Sequence, residues 1–161
     1  MHSLLIADAS PLIALARVER LNLLPRLFNS ILTTEIVWSE CLANPTIQER
    51  TQLHLALEQE WIEVITAPAQ SHRWRLGAGE TSTINLALTC KATVLIDDRA
   101  ARRVAFNLGL TVIGALGVLM LAKRRGLIPS IKSDLDHLVR TGYHLSSSLL
   151  SQVLRQANES P

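Results

Sequence analysis

Short apolar runs, each stopped by an acid or a small polar residue, set the rhythm of this chain. Leu4-Leu5-Ile6-Ala7 halts at Asp8 and predicts a buried strand. Pro11 suits the first turn of a following helix, with Ser10 as its cap. Ile31-Leu32-Thr33 predicts a second strand, and Thr34 caps a helix carrying Ile36, Val37, Glu40 and Cys41. Asn44-Pro45 ends that element, and a polar helix runs from Gln48 to Gln59. Trp61 to Thr66 predicts a third strand and Pro68 to Arg75 a loop. Gly79 to Lys91 follows as a helix with Ile84, Leu86, Ala87 and Leu88 at its apolar positions. Strand 94–96, helix 98–108, strand 111–113 and helix 115–125 come next. After the break at Leu127-Ile128-Pro129, Ile131 to Arg140 and Ser146 to Gln156 predict two closing helices.

Strands that alternate with helices need crossover connections. That implies an α/β fold with a mainly parallel sheet and helices on both faces. No internal repeat and no linker interrupts the pattern, so a single domain is expected over 1–161, with C-terminal helices from about 131 to 157. The uncharged stretch Val104 to Ala122, trailed by Lys123, Arg124 and Arg125, is long enough for a membrane span. Its interior argues otherwise. Asn107 and Gly109 close one helix, and Gly114 and Gly117 separate a short β-branched run from a second helix.

Composition narrows the picture modestly. Hydrophobic residues make up 48% of the chain but aromatic ones only 4%, so aliphatic side chains must supply the packing. A formal net charge of +2 does not announce a nucleic-acid binder, and any basic patch must be local. Cys41 and Cys90 stand far apart, without CxxC or Cys/His spacing, and predict reduced, partly buried thiols in a cytoplasmic protein. The start of the chain reaches Asp8 too early for a signal peptide.

The carboxylates carry the chemistry. In open α/β sheets ligands bind outside the carboxyl ends of the strands. Asp8 and the pair Asp97/Asp98 occupy two such ends, while Glu40 and Glu80 lie in helices that follow. If the sheet gathers them, like charges repel and some carboxyls hold protons above their ordinary range, a penalty that a divalent cation removes. Oxygen donors without His or Cys favour Mg²⁺ or Mn²⁺ over zinc. Such ions activate water and stabilise a departing oxygen, as phosphodiester hydrolysis requires. Each acid also has a plainer explanation. Asp97 can cap a helix starting at Asp98, Glu80 suits a first helical turn, Asp8 can be a turn residue, and Glu40 can be solvated, with Glu35 as a rival.

The stretches "LIADASPLIAL", "LTTEIVWSECL", "LGAGETSTINLAL" and "VLIDDRAARRVAFNLGLTVIGALGVLMLAKRRGLI" together resemble the PIN-domain ribonucleases. The nearest likeness is to the small prokaryotic PIN-like nucleic-acid-binding branch related to VapC-type toxins. The similarity runs from about Leu4 to Ile128. It implies a three-layer α/β/α fold and a Mg²⁺- or Mn²⁺-dependent endonuclease for single-stranded RNA. In that activity a water activated by metal attacks phosphorus, and the metal steadies the leaving 3′ oxygen. The resemblance carries Asp8, Glu40, Glu80 and Asp98 over as the four acids, with Asp97 as a helper or outer ligand and Ser10 orienting water. Where many of the toxins have Asp, this chain has Glu80, whose longer arm shifts the metal. Spacing alone does not decide between Asp97 and Asp98.

Arg99, Arg102 and Arg103 follow the acids and either hold RNA phosphates or form a solvated helix face. Trp74, inside "HRWR", either stacks on a base or packs into the protein. Lys123, Arg124 and Arg125 suit a helix C-terminus. The histidines His2, His54, His72, His137 and His144 lack metal spacing and read as surface or structural residues. A toxin would have a small antitoxin partner, and the resemblance implies a homodimer. The stripe Leu145, Leu149, Leu150, Val153 and Leu154 packs on the domain or forms a dimer face. A non-catalytic PIN-like module that binds RNA or protein is the competing reading. A nucleotide-binding P-loop is disfavoured, since no GxxxxGK[ST] occurs.

Overall fold

The computed structural model describes residues 3–70 and 72–161, and His2 lies outside the described residues. These residues form two compact units, one ending at Ala115 and the other running from Leu116 to Pro161.

The first unit is built on a five-stranded sheet: β1 (Leu4–Ala7), β2 (Ser30–Thr34), β3 (Glu63–Ile65), β4 (Thr93–Leu95) and β5 (Val112–Ile113). Every neighbouring pair is parallel and the strand order is β3-β2-β1-β4-β5. Its helices are α1 (Ala9–Arg17), α2 (Leu24–Leu27), α3 (Glu35–Cys41), α4 (Ile47–Glu58), α5 (Ala78–Cys90) and α6 (Arg99–Asn107). The chain therefore travels outward from β1 through β2 to β3, then returns to the other side of β1 for β4 and β5. Crossovers between parallel strands are right-handed, so the two directions of travel put their helices on opposite faces. This is the three-layer α/β/α arrangement expected for a PIN-like fold.

Packing on one face is visible directly. Ile6, Val94 and Ile96 share a buried cluster with Ile84 and Ala87 of α5 and Ala101 and Ala105 of α6. Leu5, Ala7 and Leu95, at the alternate positions, are also fully buried. A strand buried on both faces is apolar at every position, which is why the β1 and β4 runs carry no alternation. On the outer helices, Arg17 Nε donates to Glu49 Oε2 at 2.9 Å, and Glu49 closes a capping box with Thr46 at the start of α4.

Order reverses between β1 and β4, and this switch point is where an open α/β sheet leaves a crevice beyond its strand ends. Ala7 pairs with Leu95 there, and the Asp8 N–H donates to Leu95 O at 2.9 Å. Thr33 Oγ1 donates to Ala7 O at 2.8 Å from the other neighbour. The end of β1 is thus pinned from both sides.

Several boundaries differ from expectation. Ser10 is not the cap of α1: Asp8 takes that position, and Ser10 is an exposed residue within the first turn. Asp97 does not cap α6 either, because Asp98 holds the cap, its Oδ2 accepting from Ala101 N at 2.9 Å. Thr34 caps α3 as expected, accepting from Val37 N at 3.2 Å. The 3-10 turn Leu21–Leu23 and helix α2 had no counterpart in the sequence reading. Val104 to Ala122 divides among α6, β5 and a later helix, and no helix among the described residues is long and apolar enough to cross a membrane. Cys41 is buried, whereas Cys90 is exposed rather than partly buried.

The second unit holds most of α7 (Ala115–Arg124), with α8 (Lys132–Arg140) and α9 (Ser147–Gln156). Of the C-terminal apolar stripe, Val153 and Leu154 are buried and Leu149 is 41% exposed. Glu159 is this unit's main polar tie. Its carboxylate accepts from Lys123 Nζ at 2.8 Å, from Ser130 Oγ, and from the backbone N–H groups of Ile131 and Lys132 at 2.9 and 3.2 Å. Partial burial pushes its pKa up, but these four donors outweigh it and hold the group at about 2.

A depressed folded-state pKa contributes stability that is present above the unfolded value and lost as pH falls toward the folded one. Glu159→Gln should therefore lower the thermal midpoint by about 3 °C or more at pH 7. The gap from wild type should narrow as pH drops below about 4.5, which is readable by circular dichroism melts.

Candidate active site

Asp8 leaves β1 at the switch point and is only 3% exposed. Its Oδ1 has no hydrogen-bond partner. Burial is the largest influence on this carboxyl and raises its pKa to about 7. The charges of Glu80, Glu40 and Asp97 push in the same direction, and only the Ala9 N–H opposes them. Four acids from distant parts of the sequence therefore feel one another at this end of the sheet, as the strand-end placement anticipates.

The other acids are each tied to a backbone donor. Glu40, exposed on α3, accepts the Gly79 N–H through Oε1 at 3.1 Å, so it sits over the first turn of α5. A Cβ placed on Gly79 would come within 2.4 Å of Glu40 Oε2, and only glycine permits this approach. Glu80, half-buried in the same turn, reaches back to the Gly77 N–H at 3.2 Å. Its pKa is raised, first by burial and then by the charges of Asp98 and Glu40. Asp97 Oδ1 accepts the Ala115 N–H at 3.0 Å, and Asp98 caps α6. Asp97 thus bears on Asp8, while Asp98 bears on Glu80. Glu35, the rival of Glu40, instead holds the Ala67 N–H at 2.6 Å.

Around the acids, polar side chains lock the frame. Thr34 Oγ1 and Ser82 Oγ share a buried hydrogen bond of 2.8 Å, and Asn85 Nδ2 holds the His72 carbonyl at 3.0 Å. Trp74 is half-buried, stacks on His72 with centroids 5.8 Å apart, and packs against the core cluster. Arg99 and Arg103 are exposed on α6. Arg102 turns inward, donating from Nη1 to Ile96 O at 2.8 Å. A Cβ on Gly114 would meet both Asp97 Oδ1 at 2.6 Å and Arg102 Nη1 at 2.7 Å. Burial raises the Cys41 thiol to about 12, with Asp8 and Glu40 adding to the shift, so it stays protonated and inert. Ser10 is exposed near the start of α1.

Gly79 and Gly114 are the residues that sequence reasoning missed. The "LGAGE" stretch supplied a signal, since a glycine inside a first helical turn often marks a close approach. Nothing local marked Gly114, whose neighbours Asp97 and Arg102 come from another strand end.

Chemically, the donor set is all oxygen, and the unpartnered Asp8 Oδ1 lies in a negative field, which suits a hard divalent cation. Among the described residues no three His, Cys, Asp or Glu side chains converge closely enough to hold an ion directly. Mg²⁺ takes one or two carboxylates and keeps waters, so an open arrangement of this kind still fits it.

A parallel sheet with acids collected at its switch point defines a class of α/β proteins suited to phosphate-ester chemistry. A family model described as a PIN domain matches residues 4–159. The chain belongs to the PIN-domain family, whose members are typically nucleases and generally use divalent metals. No curated protein matches the sequence.

Two outcomes follow from this geometry. Between pH about 4 and 7 the unfolded chain has lost the Asp8 proton that the folded protein keeps, so stability falls as pH rises through that window. Without divalent ions, Asp8→Asn should melt higher than wild type at pH 8, and the difference should vanish near pH 4. Gly79→Ala should displace the Glu40 carboxylate and break its bond to the Gly79 N–H, yet change stability by less than about 1 kcal/mol in a urea titration, because the clash falls on the tip of an exposed side chain and alanine favours the helix.

Proposed function

We propose that this protein is a divalent-metal-dependent endoribonuclease acting on single-stranded RNA. One observation carries the reading: a buried carboxylate, Asp8, with an unpartnered oxygen and a pKa raised among Glu40, Glu80 and Asp97. Of Asp8, Glu80, Asp97 and Asp98, one or two would bind the ion, Mg²⁺ or Mn²⁺, directly, and the others would reach it through its waters. When bound, the ion supplies positive charge that offsets the acids and the scissile phosphate and makes water a better nucleophile.

The chain's own groups do the rest. Glu80, with its raised pKa and partial exposure, is placed to accept the proton of the attacking water. Water gives a proton to Glu80 as it adds to phosphorus, the bond to the 3′ oxygen breaks, and that oxygen takes a proton from solvent, so the products are a 5′-phosphate and a 3′-hydroxyl. Glu40 and Asp98, fixed on helix N–H groups, keep the negative field in place without reorganising. Arg99 and Arg103 are exposed beside the acids and oppose the repulsion between acids and RNA backbone. Ser10, exposed in the first turn of α1, can orient water. Both units act as one domain in this reading, since the family match spans them. A cytoplasmic setting, a toxin role, a small antitoxin and a homodimer belong to the same reading and rest on the resemblance to toxin-type PIN proteins.

A second reading has its own support. Glu40 and Asp98 are occupied in helix-capping bonds, and no ready three-ligand cluster exists among the described residues. Those features also suit a PIN-like module that binds RNA or protein without cutting.

Labelled single-stranded RNA incubated with Mn²⁺ or Mg²⁺, against EDTA, separates the two. Wild type should cleave only with the ion, and Asp8→Asn should be at least about 100-fold slower. At pH 8, Mn²⁺ should raise the wild-type melting temperature and leave Asp8→Asn unmoved. Equal cleavage by both proteins would assign the activity to a contaminant. Binding without cleavage at any ion concentration would select the module.

A further inference from the structure

We propose that the groove between α6 and β5 is a nucleotide subsite, where an unpaired base of the RNA strand stacks on Phe106 while its phosphate meets Arg103. The proposal rests on the nucleic-acid-binding reading of the site and names where the strand lies beyond the acids.

Arg99, Arg103 and Phe106 recur at i, i+4 and i+7 and so form one stripe along α6. The opposite side of the helix carries Ala101 and Ala105, both fully buried against the sheet. Phe106 is 73% exposed, in a chain with only two phenylalanines. An exposed aromatic ring beside guanidinium groups is the pairing that sequence-tolerant single-strand binders use: the ring stacks a base and the cation holds the backbone.

The ring stands beside a shallow, open depression. It borders a groove of about 550 Å³ lined by Arg102, Arg103, Phe106, Leu110, Thr111 and Val112. That volume falls within the range of small-ligand sites. The lining offers apolar surface from Phe106, Leu110 and Val112, a hydroxyl from Thr111 and positive charge from two arginines, with no carboxylate among these residues. It is complementary to a base attached to a phosphate, and the exposed ring of Phe106 offers the face on which a base stacks.

Arg102 joins this groove to the acids. It lines the groove, yet its Nη1 holds Ile96 O and lies against the point where Asp97 Oδ1 approaches Gly114. Along α6, Asp98 and Phe106 are eight residues apart, a rise of about 12 Å. A strand stacked on Phe106 therefore runs past Arg103 and Arg99 to the acidic end with no turn required.

The test is fluorescence anisotropy with a short labelled single-stranded RNA and full-length protein in EDTA, so that binding is read without cleavage. Phe106→Ala should weaken affinity about 10-fold with an unchanged salt slope, and Phe106→Trp should restore it. Arg103→Gln should lower the salt slope by about one. The same strand held in a duplex should bind alike to wild type and Phe106→Ala. An unchanged single-strand affinity in Phe106→Ala overturns the subsite. So does a fall in oligomeric state on sedimentation without loss of RNA affinity, which would make the groove a contact between copies. Failure of wild type to bind the RNA in EDTA overturns the subsite, and the nuclease stands or falls separately on cleavage in Mn²⁺. Phe106-dependent binding with no cleavage in Mn²⁺ keeps the subsite and removes the nuclease, while cleavage with Phe106-independent binding does the reverse.

Discussion

Repulsion among carboxylates brought to one end of a sheet is the constraint that shapes the rest of this protein. Asp8, buried at the end of β1, is raised to about 7, and only the Ala9 N–H works against that rise. An uncompensated cluster of this kind should disperse unless the fold holds it. Here the holding is done by backbone N–H groups. Asp98 caps α6 through the Ala101 N–H, Glu40 and Glu80 both bond to the first turn region of α5, and Asp8 occupies the cap position of α1 without a side-chain capping bond. Three helices thus present the positive ends of their dipoles to the acids, each favouring nearby negative charge by up to about 1 kcal/mol at exposed positions. The same contacts that satisfy orphan helix donors fix Glu40, Glu80 and Asp98 in position. Structure and candidate chemistry draw on one set of bonds.

Much of this was legible in the chain. A run such as Leu4-Leu5-Ile6-Ala7 that halts at an acid reads as a doubly buried strand, and Val94-Leu95-Ile96 before Asp97 repeats the pattern. Together with the alternating helices, these runs imply a parallel sheet whose strand ends carry carboxylates. The adjacency of β1 and β4 lay outside local pattern, because strand order is a property of crossovers rather than of any window of residues. Cap positions slipped for a physical reason. At "ADASP" and "IDDRA" two neighbouring polar residues can each satisfy a helix start, and packing of the preceding strand chooses between them. Leu21 to Leu27 escaped notice because a dense aliphatic run with an internal proline has no helical period to detect. Gly79 and Gly114 show the same limit from another side. Their meaning depends on which side chains arrive from elsewhere.

The acids are not equivalent, and the difference bears on how such a site works. Glu40, Asp97 and Asp98 each hold a backbone N–H at 2.9–3.1 Å, and Asp97 also lies near the Arg102 guanidinium. These groups have their charge partly met before any ligand arrives. Asp8 has one oxygen with nothing to accept from and no cation among the influences on it. A cation entering the site therefore gains most from Asp8, and the remaining acids tune the field around it. Such a division explains why no three side chains need to converge in the protein alone. A tightly closed set of three bare carboxylates would cost the fold far more than one exposed to the field of the others, since desolvation and repulsion would fall on every member. An open set held on helix donors keeps most of that cost on Asp8, with a smaller share on Glu80, and leaves to water the coordination that Mg²⁺ retains in any case.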